Sequence, residues 1–160
     1  MSVKTGNRTA SAVLFFFLAL SCLAMARSPS AHGSPMLEEV ILITRTGQHT
    51  IRAEIADTAA KRELGLMFRR SLPEDQGMLF LFGAERVIEM WMKNTHISLD
   101  MIFIASNGTV VSIAKNTEPF SESIISSGSP ASAVLEVNAG VAHRLSLKVG
   151  DKVIHPRLKG

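Results

Sequence analysis

Apolar and polar positions follow two rhythms along this chain. Val40 to Arg45 is a β-branched run, His49 to Ile55 alternates apolar with polar, and Thr46-Gly47-Gln48 between them supplies turn residues. That pattern predicts an antiparallel hairpin. The period then lengthens. Ala60, Leu64 and Met67 stand at helical spacing with Lys61, Arg62 and Glu63 outward, predicting a short helix capped by Asp57 or Thr58 and weakened at its end by Gly65. After a polar turn from Pro73 to Gly77, the continuous apolar run Met78–Phe82 predicts a buried strand, and Val87–Met92 predicts another.

Met101–Ser106 and Thr109–Ala114 flank Asn107-Gly108, a dipeptide suited to the positive φ angles of a type I′ turn. A loop of those two residues would pair Ile104 with Val111 and Ile102 with Ile113. Residues 121–130, SESIISSGSP, predict a serine-rich loop, and Ala131–Val137 predicts a strand. Asn138 is the expected cap of a short helix containing Val141, Ala142 and Leu145. Gly150-Asp151 then turns the chain into a last strand, Lys152–His155. The expected fold is mainly β (α+β): about seven short strands and two short helices. Most connections are too short for parallel crossovers, so the strands should form a compact, mostly antiparallel sheet or a partly closed barrel.

The first 26 residues are of another kind. Lys4 and Arg8 give a basic start, Ala12–Leu20 is apolar, and Ala24-Met25-Ala26 places small residues where a signal peptidase reads. These features predict a secretory signal peptide cleaved before Arg27, and an exported protein, periplasmic or secreted. Ala19-Leu20-Ser21-Cys22 is a weaker match to a lipoprotein box, which would lipidate Cys22. Residues 27–36, RSPSAHGSPM, predict a flexible leader, leaving 37–160 as a single domain. The whole chain has 160 residues and a formal charge of +3. Without Lys4 and Arg8 its basic and acidic residues nearly balance, so no electrostatic footprint for nucleic acid is expected. The single cysteine excludes a disulfide framework and a multi-cysteine zinc site, and no further stretch is apolar enough to span a membrane.

Met90-Trp91-Met92-Lys93-Asn94-Thr95, then Ile97 and Leu99-Asp100-Met101-Ile102-Phe103, resembles the W-M-K-N-T-x-I-P-L-D signature of a bacterial and archaeal family, domain of unknown function 192. Arg62, Gly65-Leu66-Met67, Arg69 and Gly77-Met78-Leu79-Phe80 match its upstream block, and Val134-Leu135-Glu136, Asn138-Ala139-Gly140 and Gly150-Asp151 its downstream block. The resemblance implies a small, often exported, β-rich domain and no established reaction. Ser98 stands where the family usually has proline, Ala105 where it often has an acid, Glu63 for its usual glutamine and Ala133 for its usual tyrosine.

Strand alternation sorts the central motif. Ile88, Met90 and Met92 share one apolar face, and Glu89, Trp91 and Lys93 share the other. An indole between an acid and a base offers a flat apolar platform with one N–H donor. The candidate ligand-binding set is Glu89, Trp91, Lys93, Asn94, Thr95, Asp100, Glu136 and Asn138. The leading expectation is a non-catalytic exported binding or accessory domain for a small polar ligand, a sugar or a peptide in the cell envelope, with no cofactor and no metal. Structural roles compete for the same residues: a Lys93–Asp100 ion pair, or Glu136 paired with Arg62 or Arg69. Two other classes stay open. Asp100 and Glu136 are the only carboxylate pair to nominate for an envelope hydrolase. Met90, Met92 and Met101, with His96 and Trp91, resemble the ligand inventory of a periplasmic Cu(I)-binding protein.

Overall fold

The computed structural model describes residues 36–158. The expected export signal, Cys22 and all but the last residue of the leader lie outside the described residues.

Seven strands and two short helices follow in the order β1 (Leu37–Thr44), β2 (Gly47–Ala56), α1 (Ala59–Leu64), β3 (Gln76–Met90), β4 (Leu99–Ile104), β5 (Val110–Ala114), β6 (Ile125–Asn138), α2 (Val141–Arg144) and β7 (Lys152–Ile154). The strands form one sheet in the order β5-β4-β6-β3-β2-β1-β7. It is mainly β, as expected, and nearly closed into a barrel. Pairing is antiparallel except between β2 and β3, which run parallel because α1 carries the chain across between them.

The two edges meet. Thr109 bridges Lys152, Val110 N–H donates to Asp151 O at 2.9 Å, and Val153 N–H donates to Gly108 O at 2.7 Å. Gly108 makes this seam possible: its φ is +78°, and a Cβ there would lie 2.4 Å from the Val153 carbonyl oxygen.

The pleat sends alternate residues into two cores. Val40, Leu42, Ile51, Leu79, Ile102, Ile104, Leu135 and Val137 fill the barrel interior, and α2 with Leu147 closes one end. Phe80, Phe103, Met78, Met101, Met92 and Val134 form a second cluster on the outer face of β3, β6 and β4, roofed by Leu66 and Leu72. Each such side chain withdrawn from water contributes about 1.5–3 kcal/mol.

Several local expectations are corrected. The two predicted strands at 78–82 and 87–92 are one 15-residue strand with irregular register near Gly83, and the serine-rich loop is strand, pairing with it as the first half of β6. Ser127 explains the latter: its buried hydroxyl accepts from Ile88 N–H and donates to Ser129 O, so polar side chains complete the ladder. At Asn107-Gly108 only Gly108 is left-handed, and the loop carries a bulge. Ile102 pairs with Ile113 as expected, but Ile104 pairs with Val110. In α1 the cap is Thr58, the helix stops at Leu64, and none of its residues is buried, so the predicted Ala60–Leu64–Met67 stripe does not face the core. Gly140, not Asn138, is the N-cap of α2.

Candidate functional site

The outer-face core ends in a cleft at the central motif. Glu136 on β6 lies opposite Met78 of β3 and Met101 of β4, so its side chain emerges on the outer face among apolar neighbours. Above it passes the chain leaving α1. Gly65, at φ +48°, makes the bend, and its missing Cβ matters because one would lie 3.1 Å from the Phe80 ring. Leu66 therefore packs in the same core cluster as Phe80, and Met67 joins it in lining the cleft.

The other wall is the loop after β3. Thr95 N–H donates to Met92 O at 3.1 Å, Met92 N–H to Ser121 O at 2.9 Å, Phe68 N–H to Asn94 O at 2.8 Å and Phe120 N–H to Thr95 O at 3.1 Å. Three segments distant in sequence are thus tied together. Phe68, Asn94 and Phe120 each adopt left-handed backbone at φ +64°, +53° and +62°. Such conformations in non-glycine residues cost about 1–3 kcal/mol each and cluster at binding and active sites.

Arg62, Glu63, Leu66, Met67, Phe80, Trp91, Thr95 and Glu136 line a cleft of about 30 Å³. Trp91 is its open edge, 46% exposed. Glu136 is its floor, only 4% exposed. No described residue hydrogen-bonds its carboxyl, and burial alone pushes its pKa up from 4.5 to about 8. Arg62 lines the cleft but donates to Leu81 O at 2.8 Å and lies over Phe82. Arg69 makes a two-pronged ion pair with Glu54. Neither compensates Glu136. Thr95 donates its hydroxyl proton to Lys93 O, leaving lone pairs free. Lys93 Nζ lies 5.7 Å from the centre of the Trp91 ring, a cation–π contact.

The other nominated residues have different employment. Asp100 is fully buried on the opposite face: it sits across from Val137, whereas Glu136 sits across from Met101. Its Oδ1 accepts from Asn116 N–H and its Oδ2 from Ala142 N–H, both at 2.9 Å, so it caps the barrel end and makes no pair with Lys93. With one carboxyl on each side of the sheet, the two cannot flank one glycosidic bond, and paired hydrolase chemistry loses its geometry. Asn138 shares the Glu136 face, but its Nδ2 donates to Leu72 O and Pro73 O. Asn94 is exposed and contributes its backbone. Glu89 is exposed on the β3–β6 ribbon, beside Ser126 and away from the cleft lining. For the copper reading, Met92 and Met101 are fully buried core residues, Met92 Sδ accepts from Thr117 Oγ1, and His96 stacks edge-on to Phe120 at 4.8 Å.

Comparison with known proteins covers the same ground. The sequence pattern of DUF192, described as an uncharacterized ACR, matches residues 41–155. The chain belongs to the DUF192 family. A crystal structure of a candidate transcription regulator from Sinorhizobium meliloti 1021 is 48% identical, with a TM-score of 0.73 over 76% of this chain and 95% of that one. A protein of unknown function from Novosphingobium aromaticivorans DSM 12444 is 38% identical, with a TM-score of 0.74 over 82% and 94%. No curated protein matches. Every cleft residue of this DUF192 domain falls inside the matched span.

Sequence reasoning missed the roof and rim. Arg62 was considered only as a partner for Glu136, Gly65 and Met67 only as parts of a short helix and Phe80 only as part of a buried strand, while Leu66 had no role beyond the family's upstream block and Phe68 and Phe120 had none. The available signal was the Gly65-Leu66-Met67 turn, where a helix stops with apolar residues still to bury.

Proposed function

We propose that this DUF192 chain is an exported, non-catalytic binding or accessory domain of the cell envelope. Its ligand face is the cleft between Trp91, Thr95 and Glu136. The ligand is small and polar, or is a polar group displayed by a sugar or peptide. The observation that carries this reading is the buried, partnerless Glu136 carboxyl opening into a cleft edged by a half-exposed indole. Buried polar groups are nearly always satisfied by the protein or by ordered water, and one that opens beside an aromatic platform is free to receive a group from outside. The left-handed backbone of Phe68, Asn94 and Phe120, in the segments that hold Met67 and Thr95 in place, supports the same reading.

Trp91 is the only tryptophan in the chain, so its fluorescence reports on the site directly. Titration with N-acetylglucosamine and with N-acetylalanine methylamide should change the emission saturably for at least one of them. Trp91→Ala should abolish binding, measured by calorimetry, without unfolding the domain. Emission unmoved by both compounds, and by simple amines, would end the proposal.

A further inference from the structure

The chemistry of the floor narrows the ligand class. We infer that the cleft takes a primary ammonium group at the end of an unbranched alkyl chain, held by the Glu136 carboxylate and the Thr95 hydroxyl, with its stem along Met67 and the Trp91 edge. This rests on the cleft being the ligand site and goes beyond it by naming what enters.

Three observations carry it. The first is the inventory of hydrogen-bonding groups. An ionised carboxylate only accepts. Thr95, which lines the cleft, has committed its proton to the Lys93 carbonyl at 3.2 Å, so its hydroxyl is left as an acceptor. Once Glu136 gives up its proton the floor offers acceptors only, which calls for a donor, and an ammonium brings three. The second is size. A cleft of about 30 Å³ favours a compact charged group over a broad one. An ammonium is a compact point charge, while a guanidinium is a broad planar fork. The third is the wall. Met67 and the half-exposed indole offer apolar surface to whatever carries the charged group, and the Lys93 ammonium over Trp91 shows that this ring accepts a cation.

Binding such a group changes the protonation of Glu136. The buried carboxyl is neutral at pH 7 because nothing compensates its charge. An entering ammonium supplies the missing charge, and the carboxyl proton leaves to solvent. The charged groups facing Glu136 are few. Arg62 and Glu63 of α1 line the cleft with opposite signs, and Lys93 stands over the indole. Its cross-strand neighbours Met78 and Met101 carry no charge.

The test uses the full-length protein with n-propylammonium chloride, its neutral isostere n-propanol, and tetramethylammonium, a cation with no N–H and too broad for the floor. Trp91 emission and calorimetry are the readouts. Propylammonium should bind at least tenfold more tightly than propanol at pH 8, and tetramethylammonium should not compete. Propylammonium affinity should rise about tenfold per pH unit from pH 6 to 8 as the proton to be displaced becomes easier to remove, with proton release seen in buffers of different ionisation heat. Glu136→Gln should remove the preference for propylammonium and its pH dependence, and Thr95→Val should weaken it several-fold. Nα-acetyl-lysine methylamide should bind as propylammonium does, and glucosamine, whose amine sits on a ring, should bind more weakly.

Propanol equal to propylammonium, or affinity unchanged in Glu136→Gln, would overturn the inference. Glucosamine binding better than propylammonium would overturn the alkyl stem. If N-acetylglucosamine or N-acetylalanine methylamide moves Trp91 while the amines do not, the inference fails and the cleft survives as a site. If nothing moves Trp91, both fail.

Discussion

Asp100 and Glu136 lie one residue out of register on neighbouring strands, and both are almost wholly withdrawn from water. Yet they stand at opposite extremes of satisfaction. Asp100 enters the barrel interior, and each of its oxygens receives a backbone N–H, from Asn116 and from Ala142. Glu136 enters the outer-face core, receives none, and has its pKa pushed to about 8. Burial alone therefore does not say what an acid does. Asp100 holds two connections in place, whereas Glu136 carries a desolvation penalty that the fold leaves uncompensated.

The contrast is broken most severely at Asp100. Asp100→Ala orphans two N–H groups at the barrel end and should cost about 3–5 kcal/mol in urea unfolding. A loss below about 1 kcal/mol would show that the cap is not structural. The same experiment at Glu136 should move the other way. Glu136→Gln removes the cost of neutralising a carboxyl on folding and should raise stability at pH 7 by about 1–3 kcal/mol. A loss of similar size would mean that the carboxyl is satisfied after all.

The pH dependence sharpens the point. With its folded pKa raised from 4.5 to about 8, Glu136 holds a proton in the native state that the unfolded chain has released between those values. The unfolded state binds fewer protons there, so this group makes stability fall as pH rises from about 4.5 to 8, by up to about 1.4 kcal/mol per unit, and then level off. The difference between the wild type and Glu136→Gln isolates that slope, and a flat difference would sink it. The smallest effect is expected at the neighbouring Arg69–Glu54 pair, which is charge-assisted and two-pronged but partly open to solvent. Arg69→Ala should cost about 1 kcal/mol, and less in high salt.

How much of this was legible in the sequence differs between the two regions. The interior core was largely readable: alternation placed Ile102 opposite Ile113 and marked the first hairpin, and on the outer face it set buried Ile88 and Met92 apart from exposed Glu89 and Trp91. The outer cleft was readable only in part. Trp91, Thr95 and Glu136 were nominated and do line one hollow. Asp100 was nominated beside them and lies on the other side of the sheet, because two carboxylates in separate motifs carry no sign of the register between β4 and β6. Asn138 looked like a helix cap, since an Asn before a short apolar stretch has the right local chemistry; the Leu72 and Pro73 carbonyls that take its amide come from over sixty residues away. The serine-rich stretch looked like a loop because its strand character comes from pairing with β3.

The sequence by itself determined the β-rich class, the near-count of elements and the direction in which the indole looks. Those depend on a two-residue pleat and on local turn chemistry, which act between near neighbours. Only the tertiary structure decided that β2 and β3 run parallel, that the sheet edges meet at Gly108, and that the turn after α1 roofs Glu136. Each of these is set by cross-strand register or by the approach of segments far apart in the chain. A carboxyl's partners, and so its charge, are fixed only when those segments arrive.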